Sequence, residues 1–233
     1  MKFFKFILGL CLLPLCAALA WACFRAAVVI VECPDRLPGA EAAAAVAGIA
    51  AWLLAWRFLP PATKTYVLGH ELTHALWTLF FGGRPSHLRV AATGGSVRVT
   101  KNNVWVTLAP YFFPLYTVLA VLLWLLLRWL LPPAARFPLA LAFLFLVAFT
   151  WSFHIAYTLK FLAVSQPDVR EHGRLFSYAL IFALNLAAIL LALTLPAPWT
   201  FRDLGGWILD SLRAQAGFAL RLYDNLRPLL SRR

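Results

Sequence analysis

Thr65-Tyr66-Val67-Leu68-Gly69-His70-Glu71-Leu72-Thr73-His74-Ala75-Leu76-Trp77-Thr78-Leu79-Phe80-Phe81 is a largely apolar stretch with two imidazoles and a carboxylate set into it, closed by Gly82, Gly83 and Pro85. Gly and Pro directly after an apolar run end helices, so residues 65–81 read as one helix. Helical spacing then stacks His70 and His74 one turn apart, with Glu71 beside them on the same face. A charged group in the middle of a membrane span is unfavourable by about 2.5–3.5 kcal/mol on insertion scales and is usually there for function.

The surroundings of this segment are apolar. Of 233 residues, 63% are hydrophobic and 13% charged, against about 45–50% and about 25% in soluble domains. A spanning helix needs roughly 20 mainly apolar residues, and such runs occupy residues 4–31, 42–59, 65–81, 104–131, 137–164 and 175–195. The expected fold is an all-α polytopic membrane protein of about six transmembrane helices. Residues 1–200 form a single membrane-embedded domain with its core at 64–195. The tail, residues 201–233, carries Arg202, Arg213, Arg221, Arg227, Arg232 and Arg233 among apolar residues and reads as a basic amphipathic helix on the membrane surface.

Proline and a change of period punctuate this pattern. Pro60-Pro61 closes the second run, and Pro110 and Pro114 interrupt the fourth, where a kink is expected. Between the third and fourth runs apolar and polar residues alternate in Leu88-Arg89-Val90-Ala91 and in Ser96-Val97-Arg98-Val99-Thr100, joined through Thr93-Gly94-Gly95. That is a membrane-associated β-hairpin, with His87 as a loop residue at its start.

The net charge of +12 arises from Lys and Arg placed between and after apolar runs, as membrane insertion selects, so nucleic acid is not the expected partner. Cys11, Cys16, Cys23 and Cys33 lack metal or disulfide spacing and read as small buried residues. Ala18-Leu19-Ala20-Trp21-Ala22 imitates a signal-peptidase site, but apolar character continues to residue 31, which favours a retained span over a cleaved signal. Lys2 and Lys5 claim the cytosolic side, as do Arg84, Arg89, Arg98 and Lys101 of the hairpin; three full crossings put the two groups on opposite faces, so orientation stays open.

His70-Glu71-Leu72-Thr73-His74 is the HExxH pattern of a metalloprotease. Two neutral imidazoles and a third ligand leave a zinc ion one open position for water. The ion lowers the pKa of that water to about 7, and Glu71 serves as general base. The third ligand must come from another element. Asp168 after Pro167 is the first candidate, on a backbone that the proline keeps from regular helix. Glu171 and His172 in the same loop are alternatives, as is His154 in the fifth run. His154 and His172 are otherwise candidates for orienting a ligand or stabilising an oxyanion. The hairpin edge, with Arg89, Val90, Val97 and Val99, is a candidate substrate-binding surface that adds an extended peptide as a further strand; closing one mouth of the bundle is its alternative role.

Gly69-His70-Glu71-Leu72-Thr73-His74-Ala75, Gly82-Gly83, the hairpin with Gly94-Gly95 and the Pro-containing span together resemble the site-2 protease family of intramembrane zinc metalloproteases, in particular its small bacterial branch without a PDZ domain. The resemblance covers roughly residues 66–185. It implies a core of three helices with a hairpin near the cytosolic face of the cytoplasmic membrane. It also implies zinc held by His70, His74 and Asp168, Glu71 as base, and single-span membrane proteins as substrates. The usual Asn-x-x-Pro-x-x-x-Leu-Asp-Gly setting of the aspartate is replaced here by Gln166-Pro167-Asp168-Val169-Arg170. Two other functions compete with hydrolysis: an inactive relative acting as a membrane-protein adaptor or chaperone, and a metal or proton transporter. The latter lacks the repeated halves common in transporters.

Overall fold

The computed structural model describes residues 2–32, 39–91, 93–194 and 199–230; Cys33, Leu195, Arg232 and Arg233 lie outside them. Among the described residues the chain is helical apart from one antiparallel pair of strands. Four helices are long and apolar enough to cross a membrane: α1 (Lys2–Glu32), α2 (Gly39–Phe58), α6 (Arg136–Leu162, preceded by a 3-10 turn) and α8 (Arg174–Thr194). A fifth span results if α4 (Val104–Phe112) and α5 (Leu115–Leu130) count as one, bent by 75° at Phe113-Pro114. Leu122, Leu126 and Trp129 of α5 are exposed on its outer face, an apolar surface of a kind that soluble proteins rarely expose. Apolar helices of these lengths are those of a membrane protein.

The expected count of six spans is not reached, because α3 (Thr63–Phe80) is not among the sufficiently apolar helices. Lys64, His70, Glu71 and His74 make it too polar to enter lipid unaided, whichever elements surround it. Its end follows the expected signal closely. Gly82, at φ 72°, donates to the Leu79 carbonyl at 2.9 Å and Gly83 to that of Thr78 at 2.8 Å, the paired bonds of a Schellman cap. The chain then enters β1 (Pro85–Ala91) and β2 (Gly94–Val99). His87 lies within β1 rather than in a loop, at φ 52° in an irregularity between Ser86 and Arg89, as a bulge residue does.

By its contacts the chain divides into two compact units. In one, α1, α8 and α9 (Phe201–Leu230) pack together. Small residues let the helix backbones approach: Cys16, Ala22 and Ala26 of α1 meet Ala179 and Ala183 of α8, and the Cys16 thiol donates to the Ala179 carbonyl at 3.3 Å. The amphipathic α9 lays Leu204, Trp207 and Ile208 into the same cluster, and Gln215 donates to the Pro14 carbonyl at 3.2 Å.

The other unit holds α2–α6, the hairpin and the short α7 (Pro167–His172). Gly48 of α2 faces the Phe145 carbonyl of α6, Trp52 faces Phe149 and Phe153, and Trp56 faces Tyr157, so the two helices run parallel. Tyr66 of α3 stacks on Tyr157 and joins this aromatic cluster. An added Cβ at Gly48 would strike the Phe145 carbonyl. Gly48→Val is therefore expected to lower stability by about 1–3 kcal/mol. Gly217→Ala, with no atom within 4 Å of the added Cβ, is expected to be neutral or gain up to about 1 kcal/mol from helix propensity. Thermal unfolding in detergent measures both, and equal melting of Gly48→Val and wild type would refute the close α2–α6 contact.

Candidate metal centre

The motif helix aims its polar face at three separate elements. His70 and His74, one turn apart, have ring centroids 4.9 Å apart. Asp168 meets both: its Oδ2 lies 3.5 Å from His70 Nε2 and 3.7 Å from His74 Nε2. Among the described residues these three form the one group of metal-ligating side chains close enough to share an ion. Ligand atoms about 2.0–2.2 Å from a tetrahedral zinc stand about 3.3–3.6 Å apart. The donor set, two imidazoles and a carboxylate, suits zinc, and the two carboxylate–imidazole separations, 3.5 and 3.7 Å, lie within and just beyond that range.

Two of the three ligands are oriented from behind, while His70 Nδ1 is buried without a hydrogen-bond partner among the described residues. Asn103 caps α4 by accepting from the Val106 N–H at 2.9 Å, and the Val106 carbonyl lies 2.8 Å from His74 Nδ1. A carbonyl only accepts, so Nδ1 carries the hydrogen and Nε2 keeps its lone pair for a metal. The fully buried Tyr111 donates its hydroxyl to Asp168 Oδ2 at 2.9 Å. Gln166 ties α7 to the end of α6 by donating to the Phe161 carbonyl at 2.8 Å. Pro167, expected to bar regular helix, instead starts α7, because at the first helical position its missing N–H has no helical partner to lose.

These residues line a cavity of about 740 Å³ together with Glu71, Gly95, Val97, Val99, Gln166 and Glu171. Glu71 is buried beneath the hairpin, with the Val97 N–H directed at its carboxylate. A Cβ on Gly95 would come within 2.7 Å of Glu71 Cγ and 2.6 Å of Val67 Cγ1, so β2 rests on α3 at a residue that has no side chain. Of the hairpin positions considered for substrate, Val97 and Val99 lie in the cavity wall, whereas Arg89 and Val90 line a separate shallow depression of about 270 Å³.

The remaining candidates fall elsewhere. Glu171 lines the cavity but accepts from Asn102 Nδ2 at 3.0 Å, and the Asn102 Oδ1 accepts from Thr107 at 2.7 Å. His172 is buried in α7 and is absent from the cavity wall. His154 is buried against the Tyr111 backbone and, with His70, borders a space of about 10 Å³. Tyr111 and Asn102 were not foreseen from the sequence. A hydroxyl beside Pro110 in an apolar run was the available signal for the first, and an Asn pair ahead of a helix for the second.

No family model matches the chain, and neither a curated protein nor a solved structure is significantly similar to it. Gly95→Val is expected to lift β2 from α3, seen as faster amide exchange over residues 96–99 in the purified chain. Exchange unchanged from wild type would mean that this contact does not seat the hairpin.

Proposed function

We propose that the chain is a zinc-dependent intramembrane endopeptidase of the site-2 protease kind. The observation that carries this reading is the meeting of His70, His74 and Asp168 beside Glu71, in a cavity walled on one side by an edge strand. Zinc, when bound, supplies a Lewis acid that brings the pKa of a water to about 7 and polarises an amide carbonyl. Glu71 takes the proton of the attacking water and returns it to the departing amine nitrogen. Burial under β2 keeps bulk water from competing for that carboxylate. The free edge of β2 holds the substrate backbone extended by strand addition, with Val97 and Val99 against its side chains. A transmembrane substrate hides its amides in helical hydrogen bonds, so an extended site is what its cleavage requires. In this reading α1, α2, α6, α8 and the bent α4–α5 pair cross the membrane. α3 is the sixth embedded helix, with its polar face kept wet by the cavity.

Metal analysis of the purified chain is expected to find about one zinc per molecule in wild type and Glu71→Gln, and loss of it in His70→Ala and Asp168→Ala. Cleavage of a labelled unstructured polypeptide is expected to fall about 10²–10⁴-fold in Glu71→Gln. A zinc-free wild type, or zinc retained in both ligand variants, would overturn the metal assignment; undiminished cleavage in Glu71→Gln would remove its role as base.

Tyr111 acts through Asp168 as a positioning residue. Outer partners of metal ligands are typically worth about 10–100-fold in metal affinity, so Tyr111→Phe is expected to weaken zinc binding by about tenfold or more. The visible spectrum of the cobalt-substituted chain should shift while thermal unfolding stays near wild type. An unaltered spectrum and affinity would mean that the hydroxyl does not tune the site.

A further inference from the structure

A second cavity, of about 370 Å³, lies at the parallel C-terminal ends of α2 and α6, and its character differs from that of the metal cleft. Its walls are mainly aromatic, from Trp52, Trp56, Phe149, Phe153 and Tyr157, and no carboxylate borders it. One feature singles it out. Lys160, also in the wall, sets its Nζ 5.6 Å from the Trp56 ring and 5.4 Å from the Tyr157 ring, and no carboxylate among the described residues forms a salt bridge with it.

An apolar chamber with a cation at the rim and no carboxylate in its wall fits one chemistry: an acyl chain below a negative headgroup. The levels of these groups agree with that order. Lys160 lies over Trp56, and Trp52 is one turn deeper along α2, about 6 Å at 1.5 Å per residue. Lys160 also stands two residues before the end of the apolar α6, and α2 ends at Phe58 just before Pro60-Pro61. A cation at the end of a span reaches the headgroup layer. We propose that this cavity binds one anionic phospholipid, its phosphate on Lys160 and an acyl chain among the aromatic rings. The proposal is independent of the metal reading, although Lys160 borders both cavities.

The test is native mass spectrometry of the full chain, released from micelles loaded with either phosphatidylglycerol or phosphatidylcholine of the same acyl chains. Wild type is expected to retain the anionic lipid several-fold more than the zwitterionic one. Lys160→Gln, at an exposed position that leaves the fold intact, should abolish that preference. Trp56→Leu, which removes a ring from the cavity wall and from beneath Lys160, should lower retention of both lipids several-fold. Equal retention of the two lipids by wild type would overturn the proposal, as would a Lys160→Gln chain with undiminished preference. A further overturning outcome is unchanged lipid retention in both variants with an altered cleavage position in the polypeptide, which would assign the cavity to substrate side chains. Zinc content measured in parallel and equal to wild type in both variants separates a failure here from a failure of the metal reading.

Discussion

Polar groups inside an apolar body must be met by other polar groups or by water, and α3 concentrates that demand. In a chain whose candidate spanning helices are strongly apolar, this one carries His70, Glu71 and His74 on a single face. The elements around it are arranged to meet them. α4 offers the Val106 carbonyl to His74, α7 offers Asp168 to both imidazoles, and β2 covers Glu71 with the Val97 N–H. Each partner comes from a different element, and each element is held by its own local device: the Asn103 cap, the Gln166 tie and the Gly82 turn.

The broken backbone of the fourth apolar run belongs to the same scheme. An unbroken helix over residues 104–130 would carry Tyr111 along a straight axis. The 75° bend at Phe113-Pro114 instead separates a short α4, buried on α3, from a long α5 whose outer face is apolar. The buried half carries Val106 and Tyr111 to the site, and the exposed half serves packing against α6 and the surrounding lipid. Proline here divides one run into a functional and a structural segment.

Glycine makes the closest approaches. Gly95 admits β2 onto α3 at Val67 and Glu71, and Gly69 admits the Tyr116 ring on the opposite side of the same helix. The Tyr116 hydroxyl donates to the Thr65 carbonyl at 2.6 Å, so α3 is gripped from both sides around its polar face. Held in this way, the helix can carry His70, Glu71 and His74 on one face and stay seated among apolar neighbours.

Much of this was legible in the residues taken alone. The apolar runs, the hairpin, the stop after Phe81 and the stacking of His70 on His74 all follow from local periodicity and turn chemistry, which act within a few residues and need no knowledge of the rest of the chain. Asp168 stood first among several acidic or imidazole candidates for the third ligand, but local periodicity could not decide between them. Tyr111 behind that carboxylate, Gly95 against Glu71, and Trp56 beneath Lys160 were invisible there, as was the failure of α3 to count as an apolar span in its own right. Each of these depends on how helices far apart in the sequence pack, and packing is decided by the fit of whole faces rather than by any neighbouring residue. Sequence by itself determined which segments are helices and where two imidazoles align; tertiary structure decided which carboxylate meets them and what covers the base, because only packing brings those distant atoms within reach.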